Sequence, residues 1–278
     1  MTGIIIKNIS NDYTVNCNGT YYTCKPRGKF RLDKWSPLVG DIVTIDEKNN
    51  YILEIKKRKN ELIRPSVANI DTAVIVTSVK NPNFDSNLLD KQLTIISYNN
   101  IIPIIYFTKL DLLNNEELTE MNKIISYYKQ IGYLISTNPV DLLKMIENKI
   151  VVLTGQSGAG KSTLLNKIDP TLELKTDTIS YALGRGKHTT RHTELFETHN
   201  TYIVDTPGFS KIDFYNMTNI DIRDNMKEMF DNLYMCKYSD CMHIKEDGCH
   251  VKLLLENKEI LESRYNNYKN FISRWYYD

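Results

Sequence analysis

Residues 150–170 read IVVLTGQSGAGKSTLLNKIDP, and two nucleotide-site patterns crowd into them. Gly155, Gln156, Ser157, Gly158, Ala159, Gly160, Lys161 and Ser162 spell GxxxxGK[ST], extended by Thr163. Such a loop cradles phosphates with backbone N–H groups when it joins a strand to a helix. Both neighbours are present: the apolar run IVVLTG precedes it, and STLLNKI follows with Leu164, Leu165 and Ile168 on one helical face. The glycines permit the tight curl, Lys161 is placed to bridge β- and γ-phosphates, Ser162 to hold Mg²⁺, and the helix N-terminus adds positive potential. The second pattern, NKID at 166–169, matches the NKxD signature of guanine-reading loops.

NKID stands in the wrong context for that task. It lies in the helix that grows out of the phosphate loop, so Asp169 falls ~12 Å along the axis from Lys161, away from a nucleotide. Pro170 then stops the helix. A second version, TKLD, comprises Thr108, Lys109, Leu110 and Asp111 and follows the strand pattern IIPIIYF (101–107). In a doubly wound sheet, ligands bind beyond the C-terminal strand ends, which is where these residues emerge. Asp111 is expected to accept from guanine N1–H and the 2-amino group, and Lys109 to lay its stem over the purine. Thr108 replaces the usual Asn. Ser136 and Thr137, after YLI in the strand pattern YLIS (133–136), supply the remaining base loop.

Downstream, Asp205, Thr206, Pro207 and Gly208 follow the strand pattern TYIV. Asp205 is expected to reach Mg²⁺ through water and the Gly208 N–H to sense the γ-phosphate. Between the two anchors, GRGKHTTRHT (184–193) has the composition of a switch loop, with Thr189 or Thr190 capping Mg²⁺ and γ-phosphate and Thr190 taken first. A static basic loop touching RNA is the competing reading. Phe209 occupies the place of a water-orienting glutamine, so slow hydrolysis is expected, with His188 the candidate to hold water near neutral pH. Packing or phosphate binding by His188 is the alternative. The catalytic set is thus His188, Lys161 and Thr190. Base loops, phosphate loop and switches follow one another in that order, a circular permutation of the usual phosphate-loop-first arrangement.

Residues 1–64 read as a small all-β unit: GIIIKNI, YTVNC, TYYTCK, DIVTID and YILEIK alternate and are parted by turn signals, Asn18-Gly19 among them. Five short strands fit an OB-type barrel, with an SH3-like barrel as the alternative. This stretch carries 12 Lys and Arg against 7 Asp and Glu, a balance of +5 in a chain whose total is +1. A polyanionic partner or a solvated basic surface explains it equally. Residues 65–215 alternate strand and helix patterns, the mark of a doubly wound sheet. Residues 216–278 read as mostly helical, and the aromatics of KEILESRYNNYKNFISRWYY are assigned to a core rather than to base stacking.

Cys236, Cys241, His243 and Cys249 offer three thiolates and one imidazole, a set suited to a closed tetrahedral Zn²⁺. His250 is a substitute ligand on residue type alone, and Cys17 and Cys24 read as packing residues. A chain of 278 residues that is 25% charged and 41% hydrophobic has room for two or three cores. The start MTGIIIKNISNDY lacks a signal-peptide pattern and no run approaches ~18 apolar residues, so a cytoplasmic location without membrane contact is expected.

Taken in order, GDIV, RPSVANID, TKLD, GQSGAGKST, GRGKHTT, DTPGF, the Cys/His cluster and ESRYNNY resemble the RsgA/YjeQ family, bacterial GTPases dependent on the small ribosomal subunit. The resemblance spans nearly the whole chain. It implies an OB domain (1–64), a circularly permuted GTPase domain (65–215) and a zinc-binding helical domain (216–278), and its pattern favours His243 over His250. It also implies late maturation of the 30S subunit, contact with 16S rRNA, and hydrolysis of GTP to GDP stimulated by that subunit. A monomer is expected. Because switch II at DTPGF runs directly into the zinc segment, γ-phosphate-dependent ordering of the switches is expected to reorient it.

Overall fold

A computed structural model describes residues 1–28, 30, 36–62, 66–173, 194–205 and 213–273, with Asp205 by its backbone alone. The first five strands, β1 (Thr2–Ile9), β2 (Asp12–Cys17), β3 (Thr20–Pro26), β4 (Ile42–Asp46) and β5 (Tyr51–Ile55), close on themselves in the order β1-β2-β3-β5-β4, with β4 returning to β1. All neighbours are antiparallel except β3 and β5. This is the five-stranded Greek-key barrel expected of an OB fold. The turn before β3 sets Asn18 at φ 53° and Gly19 at φ 87°, as a two-residue hairpin of that composition requires. Ile5, Val15, Val43 and Ile52 fill the barrel, and Cys17 and Cys24 are buried with them.

The basic run at 56–59 is largely committed within the fold. Arg58 makes a two-pronged bond to the fully buried Asp41, Nε to Oδ1 and Nη2 to Oδ2, each at 2.7 Å. Gly40 precedes it at φ 90°, where a Cβ would lie 2.1 Å from the Ala68 carbonyl. Gly-Asp in GDIV is therefore a packing requirement. Lys56 pairs with Glu54 at 2.7 Å and Lys59 pairs with Asp71.

The remaining elements are β6 (Glu61–Leu62), β7 (Val67–Ala68), β8 (Thr72–Ser78), α1 (Ser86–Tyr98), β9 (Ile102–Thr108), α2 (Asn115–Gln130), β10 (Leu134–Ser136), α3 (Pro139–Ile146), β11 (Ile150–Thr154), α4 (Lys161–Ile168), β12 (Glu194–Thr198), β13 (Thr201–Asp205), α5 (Asn219–Asp224), α6 (Lys227–Asp231), α7 (His250–Glu256) and α8 (Glu262–Ser273). The chain falls into two compact units. One comprises Met1–Val74, Thr137–Thr154 and Gly160–Ser210; the other Ile75–Ser136, Gly155–Ala159 and Lys211–Asp278.

In the first unit β11 and β13 run parallel, β12 and β13 form a hairpin, and β12 adjoins barrel strand β1, where Lys7 pairs with Glu194 at 2.9 Å. In the second unit β9 lies between β8 and a parallel β10. Strands β8 and β11 are buried at every residue, which is why they read as unbroken apolar runs. The C-terminal helices pack on α1, with Met226, Met229, Tyr265, Tyr268 and Phe271 in one core with Ile95. Helix α8 covers only part of the aromatic stretch expected to be helical, and Trp275, Tyr276 and Tyr277 lie outside the described residues.

One cation organises this core. Arg264 of α8, with no exposed surface, donates from Nη1 to Asp90 Oδ1 of α1 at 2.6 Å and from Nε to Glu228 Oε1 of α6 at 2.8 Å. Tyr128 and Asn267 donate to Asp90, both at 2.6 Å, and Tyr127 donates to Glu228 at 2.7 Å. Burial pushes the Asp90 carboxyl up, with Arg264 opposing, whereas for Glu228 the burial penalty is outweighed by Arg264 and the hydrogen bonds to the carboxylate together, and the carboxyl is held below its usual range. Arg264→Ala would leave two buried carboxylates without their cation. It is expected to lose about 3–5 kcal/mol of unfolding free energy in a urea titration.

Candidate functional site

The phosphate loop leaves β11 through Gly155, whose φ of 131° and position 2.1 Å (as a Cβ) from the Val76 carbonyl exclude any side chain. Gly158 and Gly160 also have positive φ, 74° and 98°. The loop closes with Ala159 N donating to Gln156 O at 3.1 Å. Helix α4 then begins with Lys161, whose ammonium burial holds below its ordinary range. A desolvated cation in an anion-binding turn is stabilised by a phosphate. Ser162 is buried at the same turn, and Ser157, Gly158 and Thr163 are exposed.

TKLD is tied directly to that loop. Thr108, the last residue of β9, donates from Oγ1 to the Ala159 carbonyl at 2.7 Å. Lys109, at φ 63°, donates from Nζ to the Gly158 carbonyl at 2.9 Å and to the Asn81 carbonyl. Leu110–Leu112 form a 3-10 turn that leaves Asp111 exposed. Thr108 thus keeps, through its hydroxyl, a bond to the phosphate loop. In the parallel register Tyr106 stands beside Ser136, so β10 stops two residues short of Thr108 and both strands lead to the same sheet edge. Ser136 is buried there and Thr137 is exposed.

NKID has the opposite character. Ile168 is buried, and Asp169 leaves the helix to accept from Thr171 N at 3.0 Å, Thr171 Oγ1 at 2.6 Å and Thr198 Oγ1 at 2.9 Å. Its carboxylate is consumed in capping the next turn. Asp205 ends β13, its side chain undescribed; His188, Thr189, Thr190, Gly208 and Phe209 lie outside the described residues.

Cys236, Cys241, His243 and Cys249 bring their donor atoms within 4.8 Å of one another, a group that could hold one zinc ion. His243 Nε2 lies 3.0 Å from the Met229 carbonyl, while Nδ1 faces Cys249 Sγ at 3.4 Å and Cys236 Sγ at 3.6 Å. A ring anchored this way presents Nδ1 as the ligand. Burial keeps His243 below its usual range, hence neutral, and pushes the Cys241 thiol up to about 12. Thiolates packed so closely call for a divalent cation. His250 contributes its backbone N–H to Cys236 Sγ at 3.3 Å.

Three contributors escaped the sequence. Glu246 accepts from the N–H groups of Met242, Ile244 and Lys245 at 2.7, 2.8 and 2.9 Å, folding the ligand loop about one carboxylate. Tyr265 and Tyr268 donate to the carbonyls of His243 and Met242 at 2.7 and 2.8 Å. None of these has a spacing signature, although the two tyrosines lie on the buried face of α8.

The family model described as RsgA GTPase matches residues 55–215, more than half of the chain, and that of the RsgA N-terminal domain matches residues 2–52. The chain belongs to the RsgA GTPase family. Membership makes it a GTP-hydrolysing enzyme. A relative in Oceanobacillus iheyensis, "Small ribosomal subunit biogenesis GTPase RsgA 2", is 45% identical over 97% of this chain and 96% of its own. A Staphylococcus aureus (strain MRSA252) protein, named as a small ribosomal subunit biogenesis GTPase RsgA, is 46% identical over 96% and 94%. The solved structure of YloQ, a circularly permuted GTPase, superposes with a TM-score of 0.83 at 35% identity, covering 98% of this chain and 94% of that one. YjeQ from Thermotoga maritima gives 0.86 at 33%, covering 100% and 99%. The permuted order of loops is therefore the family's architecture.

Two substitutions test the geometry. Glu246→Gln, which unbalances the nest of N–H donors, is expected to weaken zinc binding about tenfold, read by competition with a chromophoric chelator. Thr108→Val, which keeps shape but removes the bond to Ala159, is expected to weaken GDP binding about fivefold, read by equilibrium fluorescence.

Proposed function

We propose that this chain is a GTPase that binds the 30S ribosomal subunit, contacts 16S rRNA and assists late maturation of that subunit in the cytoplasm, acting as a monomer. The observation that carries the nucleotide half is the pair of bonds from Thr108 and Lys109 to the carbonyls of Ala159 and Gly158, which joins a base-reading loop to a phosphate loop. The ribosomal half rests on the near full-length likeness to relatives named for small-subunit biogenesis. No helix of the described residues is long and apolar enough to cross a membrane.

In this reading residues 1–64 grip RNA, 65–215 bind and cleave GTP, and 216–278 form a zinc-stabilised platform. Asp111 accepts from guanine N1–H and the 2-amino group, with Ser136 and Thr137 framing the base. Residues 155–163 wrap the phosphates, and Lys161 balances charge on the β- and γ-oxygens as the terminal bond breaks. Ser162, Thr190 and Asp205 would hold Mg²⁺, which supplies further positive charge to the same oxygens when bound. The Gly208 N–H senses the γ-phosphate. With Phe209 unable to orient water, His188 positions it once the subunit has docked.

Multiple-turnover GTP hydrolysis with and without purified 30S subunits tests this reading. Slow turnover alone and a rise of at least about tenfold with subunits are expected, and equal rates would overturn the ribosomal half. His188→Ala is expected to lose most of the stimulated rate while leaving GDP affinity intact. Asp111→Asn is expected to weaken GTP binding on the order of 100-fold and to favour xanthosine triphosphate, whose 2-oxo group accepts where guanine donates.

A further inference from the structure

The exposed Asp111 sits on a loop held at both ends, and one turn outside the nucleotide motifs grips both. At the entry, Val79 N donates to Thr108 O at 3.2 Å, the Asn81 carbonyl accepts from Lys109 Nζ, and Phe84 packs on Phe107 with ring centroids 6.2 Å apart. At the exit, Asn114 and Glu117 form the capping box that starts α2: Glu117 N donates to Asn114 Oδ1 and Asn114 N to Glu117 Oε2, each at 2.9 Å. Lys80 donates to both oxygens of that same Glu117, at 2.9 and 2.7 Å. The turn itself is pinned, with Ser78 Oγ donating to Lys80 O at 2.8 Å. It also lies against the phosphate loop, where a Cβ on Gly158 would stand 3.6 Å from Pro82 Cδ.

We propose that residues 79–84 are a brace for base recognition and that Lys80, through Glu117, is a positioning residue for guanine selectivity. The inference rests on the reading of 108–111 as the base loop. Its physical content is angular. A carboxylate that accepts two parallel bonds from N1–H and the 2-amino group discriminates only while its plane is held. Lys80 fixes the side chain that caps α2, and the α2 cap fixes where the turn carrying Asp111 ends. A general loosening of the fold would weaken every nucleotide alike. A tilt of Asp111 would cost the 2-amino contact first.

GDP and inosine diphosphate, which lacks the 2-amino group, separate these outcomes. Their dissociation constants are to be measured by displacement of a fluorescent GDP analogue from the full-length chain, alongside thermal unfolding. Wild type is expected to prefer GDP. Lys80→Met is expected to lower the GDP-over-inosine-diphosphate preference about threefold, the size an exposed ion pair can supply, with Lys80→Arg restoring it. Glu117→Gln should have the same effect, and the double substitution should add nothing to either single change. An unchanged ratio, or equal losses for both nucleotides, overturns the brace. Asp111→Asn is the control for the underlying reading. If it abolishes the preference while Lys80→Met leaves it untouched, the base loop stands and the brace falls. If Asp111→Asn leaves the preference intact, the base-loop reading fails and the brace falls with it.

Discussion

Arg264 is the cation around which the second unit is assembled. Two carboxylates, Asp90 and Glu228, are buried with it on separate helices, and neither could stay ionised there without it. Its helix carries Tyr265 and Tyr268, whose hydroxyls hold the loop that bears Cys241 and His243. Helix α1, at its other side, starts just after the turn that reaches the base loop. A single guanidinium thereby fixes the helix between the metal ligands and the element leading to nucleotide recognition. Breaking it leaves charges in a dry core, so the ion pairs act as a constraint on geometry more than as a source of net stability.

The nucleotide site follows a different rule. Its fixed points are backbone carbonyls, those of Ala159, Gly158 and Asn81, which accept from Thr108 and Lys109. Carbonyl positions depend on backbone conformation alone, so this joint tolerates Thr where Asn is usual. The permuted chain order is compatible with the same constellation because strands β9 and β10 are parallel neighbours, so the loops after them leave the same edge of the sheet. What matters to a base is the C-terminal edge of the sheet, whichever part of the chain arrives there first.

Much of this is legible in the sequence. The phosphate loop, the five barrel strands, the Asn18-Gly19 hairpin and the Cys/His ligand group depend on local periodicity or short spacing. The different contexts of TKLD and NKID are legible too: Asp169 stands at a helix end, where its carboxylate caps the next turn, and Asp111 follows a buried strand. The charge excess of residues 1–64 does not say which of its cations are paired. Arg58, Lys56 and Lys59 face Asp41, Glu54 and Asp71, pairings that hydropathy and composition do not encode. Arg264 falls in the ESRYNNY stretch of an aromatic-rich helix, but nothing in that stretch shows that its partner is Asp90, 174 residues away.

The sequence alone, then, determined the kinds of chemistry present and their order along the chain: a phosphate loop, a TKLD stretch upstream of it, three thiols with an imidazole, and an N-terminal barrel. Those features arise from short-range rules of turn, strand and ligand spacing. Only the tertiary structure decided which atoms do the holding: the Nδ1 of His243, the carboxylate of Glu246, the hydroxyl of Thr108, the ammonium of Lys80. Each of these depends on where a carbonyl or carboxylate from elsewhere in the fold comes to rest, and burial sets how much such a bond is worth.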